Sequence, residues 1–221
     1  MIELDGVSKR YEEGDRVRAV LVDASAHIAS GEWVALLGPS GAGKTTVLNL
    51  ISGIDRPDAG TVRVAGVELT HLPEKERTLF RRRQIGFVFQ SFNLLPTLTV
   101  EENLRLPVEL NGLGPDRVDA VLSILDDVGL GDRRSAFPDR LSTGERQRVA
   151  VARALAHDPP VILADEPTGN LDAETGGHVL DLMERLLHGR GKTLVTVTHS
   201  ETLAARADRV LVVRDCALHS R

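Results

Sequence analysis

The sequence is poor in cysteine and aromatic residues, with one cysteine, one tryptophan, one tyrosine and five phenylalanines among 221 residues. A single thiol, Cys216, cannot form an internal disulfide or a cysteine-based zinc site, which suits a reducing compartment. No stretch approaches the roughly 18 consecutive apolar residues of a membrane-spanning helix. The opening "MIELDGVSKRY" has no apolar h-region of the kind a secretory signal carries. Any work at a membrane is therefore expected to need a separate anchor. Positive charge is not in excess either. Lys and Arg number 27 against 32 Asp and Glu, a formal net charge of −5, so the balance does not suggest a nucleic-acid binder. The one basic run, "KERTLFRRRQ" (75–84), reads as a solvated helix face. Internal repeats and low-complexity segments are missing as well.

What is present is an ordinary globular balance, 42% apolar and 27% charged. The length suits one large domain or a domain with a modest insertion. Residues 1 to 37 carry short alternating runs that predict strands with a hairpin between them, and "GTVRVAGVEL" (60–69) predicts another strand pair. "KTTVLNLISGI" between them has helical spacing, and "IGFVFQ" (85–90) reads as a short buried strand. Residues 91 to about 157 are helical in period, broken by "LLPTLT", "LRLP" and "LNGLGPD". From 158 strand and helix alternate again, through "PPVILADEP", "GGHVLDLMERLLH", "TLVTVTHS", "SETLAARA" and "RVLVVRD". The expected fold is an α/β core on a mainly parallel sheet, formed by 1–90 and 158–221, with a helical insertion over 91–157.

"GPSGAGKTT" (38–46) fits the G-x-x-x-x-G-K-[ST] phosphate loop and stands between a predicted strand and a predicted helix. Gly38, Gly41 and Gly43 let backbone N–H groups wrap phosphates, Lys44 reaches the β- and γ-phosphates, and the Thr45 hydroxyl can hold Mg²⁺. Thr46 adds a hydroxyl near the α-phosphate. "PPVILADEP" is an apolar strand ending in two carboxylates, and ligands collect at strand carboxyl ends in such sheets. Asp165 can approach a metal held by Thr45, and Glu166 can polarise a water toward the γ-phosphate. Gln90 and His199 each follow a predicted strand. Each could simply cap that strand, or could complete a metal or phosphate shell. Tyr11 is either an ordinary strand aromatic or a platform for an adenine ring.

"LSTGERQ" (141–147) poses a separate question. Ser142 and Glu145 form a capping-box pattern before an amphipathic run, and a helix start with a bare Gly144 is a good anion holder. A nucleotide on the first loop is already covered by that loop's own helix. The second start is thus either an ordinary capped helix or a cradle offered to another molecule's nucleotide.

In this order, the phosphate loop, Gln90, "LSTGERQ", "VILADE", "GNLD" (169–172) and His199 closely resemble the ATPase subunits of ABC transporters, over nearly the whole chain. The resemblance implies a RecA-like P-loop core with an antiparallel β subdomain and an inserted α-helical subdomain. It also implies ATP and Mg²⁺ as ligands, with Gly38, Pro39, Ser40, Gly41, Ala42, Gly43, Lys44, Thr45, Thr46 and Gln90 at the nucleotide. Asp165 would join Thr45 and Gln90 at the metal, Glu166 would be the general base, His199 would contact the γ-phosphate and Tyr11 would stack on adenine. Ser142, Thr143, Gly144 and Glu145 would reach the nucleotide of a second subunit in a head-to-tail homodimer, coupled through Asp172. Integral-membrane permease subunits would dock on the helical subdomain, placing the chain on the cytoplasmic face of a membrane, with no nucleic-acid partner.

The family usually has two glycines after the signature serine, and Thr143 stands at the first of these positions. A β-branched residue is poorly suited to positive φ, so ordinary geometry or an adjusted turn is expected there. Arg146 is a smaller variation. "RRRQIGFVFQSFNLLPTLTVEENLRLPVEL" is most similar to the lipoprotein-release and macrolide-export subgroup, and the cell-division ATPase is close to it. Soluble relatives that act on ribosomes or DNA usually carry two ATPase domains or a long inserted arm. The 51 positions from Gln90 to Leu141 are too few for such an arm.

Overall fold

The computed structural model describes residues 1–14, 16–188 and 190–221. Two sheets organise it. The first is antiparallel, in the order β2-β1-β4-β5, from β1 (Ile2–Glu13), β2 (Arg16–Ile28), β4 (Ala59–Val64) and β5 (Val67–Glu68). The second has six strands in the order β10-β9-β3-β8-β7-β6. These are β3 (Trp33–Leu37), β6 (Ile85–Val88), β7 (Val161–Asp165), β8 (Thr193–Thr198), β9 (Arg209–Arg214) and β10 (Ala217–Ser220). All its pairings are parallel except β9 with β10.

β3 reads "WVALL" and β8 "TLVTVT", every residue buried. That continuous pattern is the signature of a parallel strand covered on both faces. Trp33, 2% exposed, satisfies its indole N–H on Thr196 Oγ1 at 2.9 Å, so its bulk is buried without an orphaned donor. The helices are α1 (Lys44–Ile51), α2 (Glu74–Gln84), α3 (Val100–Leu110), α4 (Pro115–Asp127), α5 (Thr143–Leu155), α6 (Ala173–Met183) and α7 (Glu201–Ala204). Helices α3 to α5 lie in sequence between β6 and β7 and share one apolar cluster with Val88, Ile162 and Ala164 of those strands. A second cluster joins the antiparallel sheet to α1 and to the other side of the parallel sheet.

The structure corrects the sequence reading in several places. The basic run 75–84 is helical, but it is not a merely solvated face. Arg77 is only 6% exposed, and both Arg77 and Arg81 donate to Gly53 O, at 2.9 and 2.7 Å, just beyond the end of α1. Helix α7 spans only four residues of the expected "SETLAARA". Strand β10 was not expected, because "ALHS" has neither apolar alternation nor β-branched residues. It forms by pairing antiparallel with β9, Ala217 opposite Arg214.

Candidate functional site

Four parallel strands deliver their carboxyl ends to one edge of the sheet. Register sets Leu37 beside Thr198 and Asp165 beside Val197, with Val88 beside Ala164. The loops that follow carry the phosphate-loop residues, Gln90, Glu166 and His199 to a cleft of about 740 Å³. Its far wall comes from the antiparallel sheet, through Tyr11 of β1 and Arg18 and Val20 of β2.

The phosphate loop is shaped by close approach. Gly43, the residue before α1, has φ +104°, and a Cβ there would stand 2.6 Å from Val20 Cγ1. No side chain caps the helix start, so the backbone N–H groups of its first turn have no side-chain acceptor. The helix dipole adds to this an attraction for anions. The Lys44 ammonium donates to Gly38 O at 2.8 Å and Pro39 O at 2.9 Å. Those bonds use two of its three donors and hold it against the loop, where it is 8% exposed. Pro39 O also accepts from Ala42 N at 3.2 Å, closing the turn.

Thr45 Oγ1 donates to Asp165 Oδ2 at 3.3 Å across 120 positions of sequence. Burial holds the Asp165 carboxyl above its ordinary value, and the neighbouring Glu166 adds to the effect. Among the described residues no group of three or more His, Cys, Asp or Glu could hold a metal alone. Thr45 and Asp165 instead supply two hard oxygen donors. That set fits Mg²⁺, which typically takes one or two carboxylates together with substrate phosphates and water.

Glu166 has φ +45°, in the left-handed region that a glutamate rarely occupies. Its N–H donates to Val197 O at 3.0 Å, extending the β7–β8 ladder by one residue before the chain turns. Its Oε1 lies 2.8 Å from His199 Nδ1, and its Oε2 accepts from Thr198 Oγ1 at 3.4 Å. Gln90 is exposed and follows β6 after one intervening residue, Phe89, rather than directly. Asn170 Nδ2 donates to Gln90 O at 2.8 Å, and Gln90 Nε2 packs against Gly169. Tyr11 Oη donates to Asp55 Oδ2 at 2.7 Å, and Lys9 Nζ stands 5.1 Å from the ring centroid. Burial, then Asp55, raises the Tyr11 phenol above its ordinary value.

Ser142, Thr143, Gly144 and Glu145 do not reach this cleft. They line a second one, of about 500 Å³, with Asn170, Asp172 and Thr175, and among the described residues none lines both. The expected capping box is present: Ser142 N donates to Glu145 Oε2 at 2.7 Å and Glu145 N to Ser142 Oγ at 3.2 Å. Asp172 caps α6 by a single bond, its Oδ1 accepting from Thr175 N at 2.9 Å. Two helix starts thus meet. A Cβ on Gly144 would fall 2.5 Å from Thr175 Cγ2, so glycine is what lets α5 approach α6. Thr143 keeps ordinary geometry: it is the first residue of α5 and not among the residues with positive φ. Its hydroxyl accepts from Arg146 Nη2 at 3.3 Å, which joins the two variations of the motif to each other.

Sequence reasoning missed Arg18, Val20, Thr198 and Asn170. The first two reach the cleft through the register of β1 with β2, which shifts beside Val20, so alternation within β2 alone does not find them. Thr198 and Asn170 depend on register and loop closure, which leave no local mark.

Comparison with known proteins follows the same lines. The family described as "ABC transporter" matches residues 21–169. An uncharacterized ABC transporter ATP-binding protein of Mycobacterium tuberculosis is 51% identical over 96% of this chain and 86% of its own length. The lipoprotein-releasing system ATP-binding protein LolD of Legionella pneumophila is 44% identical, over 96% of this chain and 94% of its own. The macrolide export ATP-binding/permease protein MacB of Rhodopirellula baltica is 45% identical over 97% of this chain, which spans only 32% of that relative. Among solved structures, a dimeric post-hydrolysis state of the ATP-binding cassette MJ0796 bound to ADP and Pi superposes with a TM-score of 0.90 at 38% identity. That match covers 100% of this chain and 98% of the other.

Proposed function

This chain belongs to the ABC transporter family, and we propose that it is the ATP-binding and ATP-hydrolysing subunit of a transporter of the lipoprotein-release or macrolide-export type. In this reading it pairs with a second copy on binding ATP and drives a separate membrane permease. The carrying observation is that two helix starts, at Gly43 and at Ser142, face different clefts. One chain holds half of each of two sites. A head-to-tail pair would bring the Ser142–Glu145 start of one copy to the phosphate loop of the other, completing both.

Within one copy the reaction is in-line attack of water on the γ-phosphate, where catalysis rests mainly on positioning and charge stabilisation. Backbone N–H groups of residues 38–46 and the Lys44 ammonium hold the phosphates. Thr45, Asp165 and Gln90 would hold Mg²⁺, which when bound would supply neutralisation of phosphate charge. Glu166 takes the proton of the attacking water. His199 and Thr198 orient its carboxylate, and His199 is exposed enough to reach a γ-phosphate oxygen as well. Asp172, beside the second cradle, would carry the state of one site to the other.

Residues 91–157 are the proposed docking region for the permease. An apolar groove of about 310 Å³ lies where this region meets the core, lined by Phe87 and Phe89 together with Leu106, Pro107 and Leu110 of α3. Arg153 of α5 ties the loop after Gln90 to this region through Phe92 O at 2.9 Å and through Asn93 O. ATP occupancy sensed at Gln90 can thereby be felt at the groove. No helix among the described residues is long and apolar enough to cross a membrane.

The test is the solution mass of the Glu166→Gln protein with and without ATP and Mg²⁺, beside the same protein carrying Ser142→Arg. A dimer that requires ATP and disappears with Ser142→Arg supports the reading. A monomer that has demonstrably bound ATP would overturn self-pairing.

A further inference from the structure

Arg18 belongs to none of the motifs that mark this site, yet it stands at its wall. Tyr11 and Arg18 are directly opposite each other in the antiparallel β1–β2 pair, and opposite residues present their side chains on one face. Val20, left without a register partner where the pairing shifts between Lys9 and Arg10, lines the same cleft and packs against Gly43. The face is the one that lines the nucleotide cleft. From it, Arg18 Nη2 donates to Gly41 O of the phosphate loop at 2.8 Å. The guanidinium thus bridges from the aromatic end of the cleft to the loop that cradles phosphates.

Charge along the cleft is unevenly placed. Asp165 and Glu166 make one end acidic, Lys44 lies on the loop between, and Arg18 supplies positive charge at the Tyr11 end. A nucleotide with its terminal phosphates at Lys44 and Thr45 and its base at Tyr11 must pass its sugar and α-phosphate between these ends. We propose that Arg18 is a nucleotide-binding residue, its guanidinium facing the sugar and α-phosphate of the bound nucleotide while Gly41 O holds it in place. The inference rests on the ATP-binding reading above. Guanidinium is suited to the task because it stays charged and presents its donors in a fixed plane.

The α-phosphate is common to ATP and ADP, so both ligands should feel the loss of Arg18 alike. The experiment is calorimetric titration of Mg-ADP into the full chain, and of Mg-ATP into its Glu166→Gln form, each with and without Arg18→Gln. Low and high salt are compared, and Arg18→Lys is included. At low salt Arg18→Gln weakens both nucleotides about five-fold, the scale of one partly exposed charge pair. Arg18→Lys recovers part of that loss, and the gap narrows at high salt because exposed charges are screened. Equal affinities at low salt overturn the proposal. A loss that ignores salt and accompanies a lowered melting temperature also overturns it, since Arg18 would then only brace the loop. Failure of the unmutated chain to bind either nucleotide would instead strike the ATP-binding reading itself.

Discussion

His199 Nδ1 lies 2.8 Å from Glu166 Oε1, although 33 positions separate the two residues. They meet because β7 and β8 are parallel neighbours whose carboxyl ends are in register. The carboxylate must accept in this bond, so the imidazole carries its proton on Nδ1 when neutral. Nε2 is then an acceptor, and donating to a γ-phosphate oxygen requires the ring to carry a proton on both nitrogens.

Glu166→Gln keeps the shape of the side chain but removes its basicity. Steady-state hydrolysis should fall by about 10²- to 10⁴-fold, the usual worth of a general base, while ATP affinity stays close to that of the unmutated chain. An unchanged rate in a phosphate-release assay would remove Glu166 from that role.

Asp165 has a pH signature. Burial raises its carboxyl above the ordinary 3.8, so the fold binds this proton more tightly than the unfolded chain does. A group raised in the fold contributes stability that is complete below the ordinary value and lost as pH rises through the raised one. Asp165→Asn removes that loss. Without nucleotide, the variant should melt higher than the unmutated chain at pH 7, the advantage vanishing below about pH 4. Its nucleotide binding should lose dependence on Mg²⁺. Parallel melting curves across that range would refute the account.

Ser142 has two separable duties, capping α5 and facing a phosphate. Ser142→Ala should cost about 1 kcal/mol of stability, typical of a lost N-cap. Ser142→Asp can still cap but sets a negative charge in the cradle. It should retain the melting temperature and yet abolish ATP-dependent dimerisation in the Glu166→Gln background. Dimerisation that survives the aspartate would detach this helix start from phosphate binding.

The approach of α5 to α6 can be tested by compensation. Gly144→Ala forces a methyl to within 2.5 Å of Thr175 Cγ2, and overpacking of this kind costs about 1–3 kcal/mol. Thr175→Ser deletes that methyl and leaves the backbone N–H that Asp172 caps. The double variant should regain most of the lost stability in denaturant unfolding. Additive losses would mean that the two positions do not touch.

Much of the fold was legible because its signals are local. Alternation in "VRAVLVDASAHI" and the unbroken apolar "WVALL" and "TLVTVT" carry their strands on the page, and Ser142 with Glu145 announces a capped helix. What was hidden depends on distant partners. Arg77 looks like one more surface charge in a basic run until Gly53 O is brought beneath it. "ALHS" gains a strand only from its β9 neighbour. In the site, the phosphate loop and the Asp165–Glu166 pair could be found by spacing. The Tyr11–Arg18 pairing could not, because a hairpin register on the opposite sheet sets it. The allocation of the two helix starts to separate clefts belongs to the same class, since residues adjacent in a motif say nothing of the face they will share.

The separation of those clefts has an arithmetic consequence for mixtures. Suppose one population carries Lys44→Ala and another carries Ser142→Arg. Each alone lacks any intact composite site, whether or not its copies pair. A mixed pair collects both lesions in a single site, and leaves the other with an intact phosphate loop from one copy and an intact helix start from its mate. Two inactive preparations would then complement each other in the test tube, at most to half the sites of the mixed pairs, where a self-contained enzyme would give nothing.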